Sequence, residues 1–276
     1  MKHRKLKRSL AKRVIERPNV FINPSDHMGF EVLIDGCWDQ FLTHSIQMVS
    51  ATPKKKSLFI DIGANTGLIS IQVADAFTNL IALEPNPIAF GVLQANALTH
   101  ISESKISLKN YGLGNRDETV TLEIPEQNLG GAFVKGAENK LTNQELRKKE
   151  GGSLKIVKTF EIPIESAKDF FESIDGQIND IERVVVKVDI EGMEDSIVRA
   201  LFDSNIWRSK EIICFLETWS KALKAELLEE CYGNIVVQPK NQLKWLDARH
   251  LDTANATELC FWNSNFPKQV ASKLTP

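Results

Sequence analysis

Apolar residues along this chain come in short continuous runs, each followed by a longer stretch of helical period. From Ser57 the run "SLFID" precedes "TGLISIQVADAF", and "LIALE" precedes "NPIAFGVLQANALTH". "KISLKNYG" follows. Further on, "RVVVKVDI" leads into "EGMEDSIVRALF" and "EIICFLE" into "WSKALKAELLEECY". Continuous apolar strands alternating with helices predict a mostly parallel, doubly wound α/β sheet covered on both faces. "NIVVQ" and "TELCFW" add two strands near the C-terminus. Ahead of this alternation, "FEVLID" has strand character and "QFLTHSIQMVS" that of a helix.

The alternation is interrupted at about 119–163. There "TVTLEI" and "LKIVKTFEI" flank a polar, glycine-bearing segment, which predicts a β-hairpin excursion whose tip is either a surface loop or a substrate lid. At the N-terminus, "KHRKLKRSLAKRVIER" is basic, with Leu6, Leu10 and Val14 on one helical face and Pro18 as its end. It reads as a solvated helix docked by that stripe, or as a surface for anionic lipid or a lipid-linked substrate.

Composition narrows the class. The chain has 276 residues, 42% of them hydrophobic and 25% charged, with a net charge of −2; this suits a globular protein and gives no general drive toward nucleic acid. Cys37, Cys214, Cys231 and Cys260 are widely spaced and form no zinc-ligand or disulfide pattern. No apolar run has transmembrane length and no secretory signal is evident, so a cytoplasmic location is expected.

The chemistry gathers at the strand ends. "DIGANTG" joins a strand to a helix at residues 61–67. Its glycines do not fit the dinucleotide GxGxxG, and Leu68 after Gly67 excludes a P-loop. An acid at the strand end, a glycine-rich bend and an immediate helix do fit the nucleoside-binding turn of an S-adenosylmethionine-dependent methyltransferase. Glu84 ends the next strand, 84 − 61 = 23 residues on, where a carboxylate can accept from both ribose hydroxyls. Asp189, Glu191 and Glu217 end two further strands. Such a row of carboxylates would repel a pyrophosphate and attract a sulfonium. Helix-terminus acids offer a plainer reading for Glu191 and Glu194. Lys187, inside an apolar strand, needs a partner; it either pairs with Asp189 two positions on or tunes an acid and meets the substrate.

"FIDIGANTGLISI", "ALEPNPIAFGVLQANA", "NYGLGN", "KVDIEGMEDSIVRAL" and "FLETW" resemble, in order, the blocks of FkbM-type methyltransferases over about residues 57–220. The resemblance implies a class I, Rossmann-like sheet of seven strands in the order 3-2-1-4-5-7-6, with the hairpin insertion and an N-terminal extension. On that basis residues 1–55 form a basic helix and lead-in, 56–265 the methyltransferase domain and 266–276 a tail. It also implies S-adenosylmethionine as methyl donor and a hydroxyl acceptor on a sugar, surface glycan or natural product. Asp61, Gly63, Ala64, Asn65 and Gly67 would cradle the methionine and ribose end. Glu84, assisted by Asn86, would hold the ribose, and Tyr111 and Gly112 would lie near the adenine. Asp189, Glu191 and Glu217 would face the methyl or the acceptor. Asp189 is the first candidate for a base, and Glu191 and Glu217 are its rivals; among the histidines only His44 is kept as an outside candidate. Asp189 and Glu217 have the oxygens to hold Mg²⁺, but acceptor or cofactor binding accounts for the same residues, and no metal ligand is assigned. The absence of an NPPY motif and of a basic patch near the site weighs against nucleic acid as acceptor. The alternative to an enzyme is a non-catalytic nucleoside-binding scaffold of the same fold; an NAD-dependent enzyme is a weaker third reading.

Overall fold

The computed structural model describes residues 19–23, 27–50, 55–125, 132–135, 156–190, 192–231, 233–239, 242–248 and 256–275. The basic stretch 2–17 and most of the hairpin tip lie outside these residues. In chain order the elements are α1 (His27–Asp35), α2 (Gln40–Ser50), β1 (Ser57–Ile62), α3 (Leu68–Val73), β2 (Asn79–Leu83), α4 (Pro87–His100), β3 (Ile106–Lys109) and β4 (Gly112–Gly114). Then come β5 (Glu118–Pro125), β6 (Phe133–Val134), β7 (Ile156–Ser166), α5 (Ala167–Asp175), β8 (Arg183–Val188), α6 (Glu194–Asp203) and α7 (Asn205–Ser209). The chain continues through β9 (Glu211–Glu217), α8 (Lys221–Glu230), β10 (Ile235–Pro239), β11 (Leu246–Asp247), β12 (Ala256–Trp262) and α9 (Lys268–Ala271).

The main sheet runs β11-β10-β12-β9-β8-β1-β2-β3. Strands β3, β2, β1, β8 and β9 are mutually parallel, and β12 is antiparallel to both β9 and β10. Setting aside the two-residue β11 at the edge, this is the order 3-2-1-4-5-7-6 of a class I methyltransferase. The insertion is a hairpin of β5 against β7, extended by β4 and β6 into a second, four-stranded sheet.

Strands β1 and β8 are buried along their whole length, as central parallel strands must be. Side chains alternate between two cores. Leu58, Ile60, Ile62, Val184, Val186 and Val188 face α5, α6 and α8. Phe59, Val185, Phe215 and Cys260 face α2, α3 and the C-terminal segment, where Phe266, Val270 and Leu274 are buried. Residues on both sides of 56–265 thus contribute to one core.

One local expectation is corrected. "FEVLID" belongs to α1 and is not a strand. Only Val32 points inward, while Phe30, Leu33 and Ile34 are exposed on the opposite side. Four apolar residues in five positions satisfy either periodicity.

Candidate functional site

The turn after β1 requires its glycine. Gly63 has φ +80°, and a Cβ there would come within 1.9 Å of the Asp189 carbonyl oxygen. The loop after β1 therefore lies directly against the loop after β8. Its backbone is pinned to the neighbouring strand: the N–H groups of Gly63 and Ala64 both donate to Leu83 O, at 3.0 and 2.9 Å. Asn65 also has positive φ, at 50°. Gly67, φ +80°, starts α3 against Leu93.

Asp61, fully buried, is fixed on both oxygens. Ser70 Oγ donates to Oδ2 at 2.6 Å and Lys187 Nζ to Oδ1 at 3.1 Å. The same ammonium donates to Gly63 O at 3.1 Å and lies 3.3 Å from Asp189 Oδ2. Burial alone would push the Lys187 pKa down; the carboxylates of Asp189 and Asp61 outweigh it and hold the pKa above the ordinary lysine range. Lys187 forms an internal ion pair, and its partners include Asp61 as well as Asp189.

Glu84 closes the other side of the glycine turn. Its oxygens accept from Asn65 N at 2.7 Å and Asn86 N at 2.8 Å. Burial raises its pKa to about 7, against the opposing effect of those two N–H groups. Asn86 caps α4, accepting from Ile88 N. Beside Glu84 lie two buried atoms without a hydrogen-bond partner among the described residues, Asn65 Oδ1 and Asn86 Nδ2. An orphaned acceptor and an orphaned donor flanking a carboxylate are costly unless a ligand uses them. They fit a nucleoside bearing hydroxyls and an amine.

Tyr111 and Gly112 sit further along. The phenol of Tyr111 is pushed up to about 12 by burial and the adjacent Glu165 carboxylate. Gly112 lies in β4 against Ile164 and Pro85.

Asp61, Lys187, Asp189, Glu217 and Glu258 share the parity of Phe59, Val185, Phe215 and Cys260, so all five lie on the sheet face covered by α2 and α3. There a cavity of about 70 Å³ opens among Trp38, Asp39, Lys187, Asp189, Glu217 and Glu258, with Phe215 and Trp245 in its wall. Glu217 and Glu258 are directly opposed on β9 and β12. Burial raises the Asp39 pKa, and Asp189 adds to the effect. Burial, then Asp39 and Asp189, raise that of Glu258 to about 7.

The structure places Asp189 and Glu217 at one cavity. Glu191 lies outside the described residues. Glu194 accepts from Gly192 N at the start of α6, which suits the plain reading of it as a helix-terminus acid. His44 is exposed on α2 and does not line the cavity. Among the described residues, no group of three or more histidines, cysteines or acids could hold a metal ion, and no helix is long and apolar enough to cross a membrane.

Asp39 and Glu258 were not foreseen from the sequence. Each left a faint signal: Asp39 precedes α2 and caps it through Leu42 N at 2.9 Å, and Glu258 is the one charged residue in β12.

A family model described as the methyltransferase FkbM domain matches residues 61–229. No curated protein matches the chain. Solved structures with a similar fold include precorrin 8W decarboxylase of Methanobacterium thermoautotrophicum, at 15% identity and TM-score 0.43, covering 88% of this chain and 95% of that one. Precorrin-6y C5,15-methyltransferase of Geobacter metallireducens is similar at 14% identity and TM-score 0.38, covering 83% and 93%. The ribosomal protein L11 methylase of Lactobacillus delbrueckii subsp. bulgaricus is similar at 10% identity and TM-score 0.36, covering 83% and 79%. Nothing about substrate follows from likenesses this distant.

Proposed function

The chain belongs to the FkbM methyltransferase family and uses S-adenosylmethionine, and from that premise we propose that it methylates a hydroxyl oxygen on a sugar, surface glycan or polyhydroxylated natural product. One observation carries the reading: the cavity beside Lys187 combines aromatic walls from Trp38, Phe215 and Trp245 with carboxylates from Asp39, Asp189, Glu217 and Glu258. Carbohydrates present apolar C–H faces that pack on aromatic rings and hydroxyls that donate to carboxylates.

In this reading Glu84 accepts from the ribose hydroxyls, and Asn65 Oδ1 and Asn86 Nδ2 gain the partners they lack. Asp61 and Lys187 hold the turn that carries Gly63, Ala64, Asn65 and Gly67 around the methionine end. When bound, the donor supplies an electrophilic methyl group on a positively charged sulfur. The negative strand ends favour that charge, and the protein chiefly orients the acceptor oxygen for in-line attack.

The test offers methyl-labelled S-adenosylmethionine with three sets of acceptors: glycosides and oligosaccharides, polyhydroxylated natural products, and amine or RNA controls. Labelled ether methyl groups, identified by NMR, are the expected product. Label confined to nitrogen or carbon would overturn the proposal.

A further inference from the structure

Resting on the hydroxyl reading above, we propose that Glu258 is the general base that takes the acceptor's proton. Four carboxylates line the cavity, and three of them are already committed to another task. Asp39 accepts from Leu42 N to cap α2. Asp189 lies 3.3 Å from the Lys187 ammonium. Glu217 ends β9 and has a polar or electrostatic partner of its own. The Glu258 side chain makes no hydrogen bond and no ion pair among the described residues; only its backbone is engaged, in the pairing of β12 with its neighbours.

Its place in the fold explains why. Strand β12 enters antiparallel to β9, which sets Glu258 directly across from Glu217. It also points to the face that carries Asp39 ahead of α2 and Lys187 with Asp189 on β8. Of these neighbours only Lys187 is cationic, and it is engaged by Asp61 and Asp189. Burial and the surrounding acids accordingly set the pKa of Glu258 near 7, where a base is half-charged at neutral pH and accepts a proton readily. Both Glu258 and Asp39 fall outside the family-matched residues 61–229, so this assignment concerns the acceptor side of this chain in particular.

The step balances. The acceptor oxygen forms a bond to the methyl carbon with its lone pair, and the carbon–sulfur bond breaks with its electron pair moving to sulfur, which becomes neutral. The hydroxyl proton passes to a Glu258 carboxylate oxygen and then to water. The products are a methyl ether, S-adenosylhomocysteine and a proton.

Two arms test this. In the first, the side-chain carboxyl carbons of the full-length protein are followed by ¹³C NMR against pH, with the signal assigned by its loss in Glu258→Gln. A midpoint near 7 that falls in Asp39→Asn is expected; a midpoint below 5 overturns the proposal. In the second, Glu258→Gln should bind S-adenosylhomocysteine within twofold of wild type yet lose about 100-fold or more in transfer to a methylated hydroxyl probe. The limb near 7 in kcat, measured at saturating S-adenosylmethionine so that Glu84 does not contribute, should vanish with it and return, in part, in Glu258→Asp. Transfer within tenfold of wild type, or a tenfold loss of S-adenosylhomocysteine affinity, overturns the assignment. A wild type that methylates no hydroxyl probe overturns the oxygen reading itself, whereas an active wild type with an equally active variant overturns only the part given to Glu258.

Discussion

Asp61 and Lys187 face each other across the β1–β8 ladder and meet in a buried ion pair of 3.1 Å. The pair lies immediately beneath the glycine turn, because Lys187 also donates to Gly63 O. Its third partner, Asp189, leads into the loop that Gly63 touches. One ammonium therefore ties together the two strand ends between which the sheet reverses its winding, where ligands of this fold class bind.

Removing one member leaves the other buried and unmatched. Lys187→Met should destabilise the protein by about 3–5 kcal/mol, measured by urea denaturation. Asp61→Asn should cost less stability, because the amide oxygen can still accept from Lys187 while its NH₂ donates to Ser70 Oγ, yet should weaken S-adenosylhomocysteine binding in calorimetry. If Lys187→Met unfolds at the wild-type urea midpoint, the ion pair does not hold the turn.

At Gly63 the constraint is steric as well as conformational. Gly63→Ala puts a Cβ into the Asp189 carbonyl at positive φ, a strain of at least 1–3 kcal/mol. Loss of S-adenosylhomocysteine binding is expected even where circular dichroism shows a folded protein. Retained affinity would mean that the two loops can separate without harm to the site.

Glu84 predicts an unusual pH dependence. Its pKa rises on folding from 4.5 to about 7, so the native state holds its proton longer than the unfolded chain does. That contribution to stability is complete below about 4.5 and is lost as pH rises to about 7, on the order of 3 kcal/mol in all. Glu258 adds to the decline in the same window. Unfolding measured from pH 4.5 to 8 should show a falling stability of the free protein that flattens in Glu84→Gln. If the ribose hydroxyls donate to the ionised carboxylate, S-adenosylhomocysteine affinity should rise over the same interval; an affinity independent of pH would count against that contact.

Trp38 tests the acceptor side. Trp38 lines the cavity. Trp38→Ala should raise the KM for a hydroxyl acceptor about tenfold, as expected for a loss of roughly 1–2 kcal/mol of packing. The S-adenosylhomocysteine affinity should stay within twofold. A loss confined to the donor would place Trp38 in the wrong half of the site.

Much of the candidate donor site was legible in the sequence because its signals are local. Buried parallel strands are written as apolar runs, and "DIGANTG" records the acid, bend and helix start within seven residues. Lys187 stood out because an ammonium in such a run demands a partner, and Asp189 lies two residues away. Asp61, its other partner, is 126 residues distant and is brought close only by strand pairing. The acceptor side was harder to read for the same reason. Asp39 and Glu258 meet the strand ends through α2 lying on the sheet and β12 inserting antiparallel next to β9. Neither proximity leaves a mark in the nearby sequence. In α1, the run Phe30 to Ile34 carries no period that separates helix from strand, and only its packing decides.

The donor is expected to lie over the glycine turn that the Asp61–Lys187 pair holds from beneath, against Glu84, with its reactive end toward the cavity of Asp39 and Glu258. A crystal structure with S-adenosylhomocysteine tests this placement most directly. The ribose hydroxyls are expected within hydrogen-bonding distance of Glu84 and the sulfur facing Asp189 and Glu258. Density for the ligand instead in the separate cleft of about 290 Å³ beside Lys105, Lys109 and Phe170, with Glu84 untouched, would contradict it.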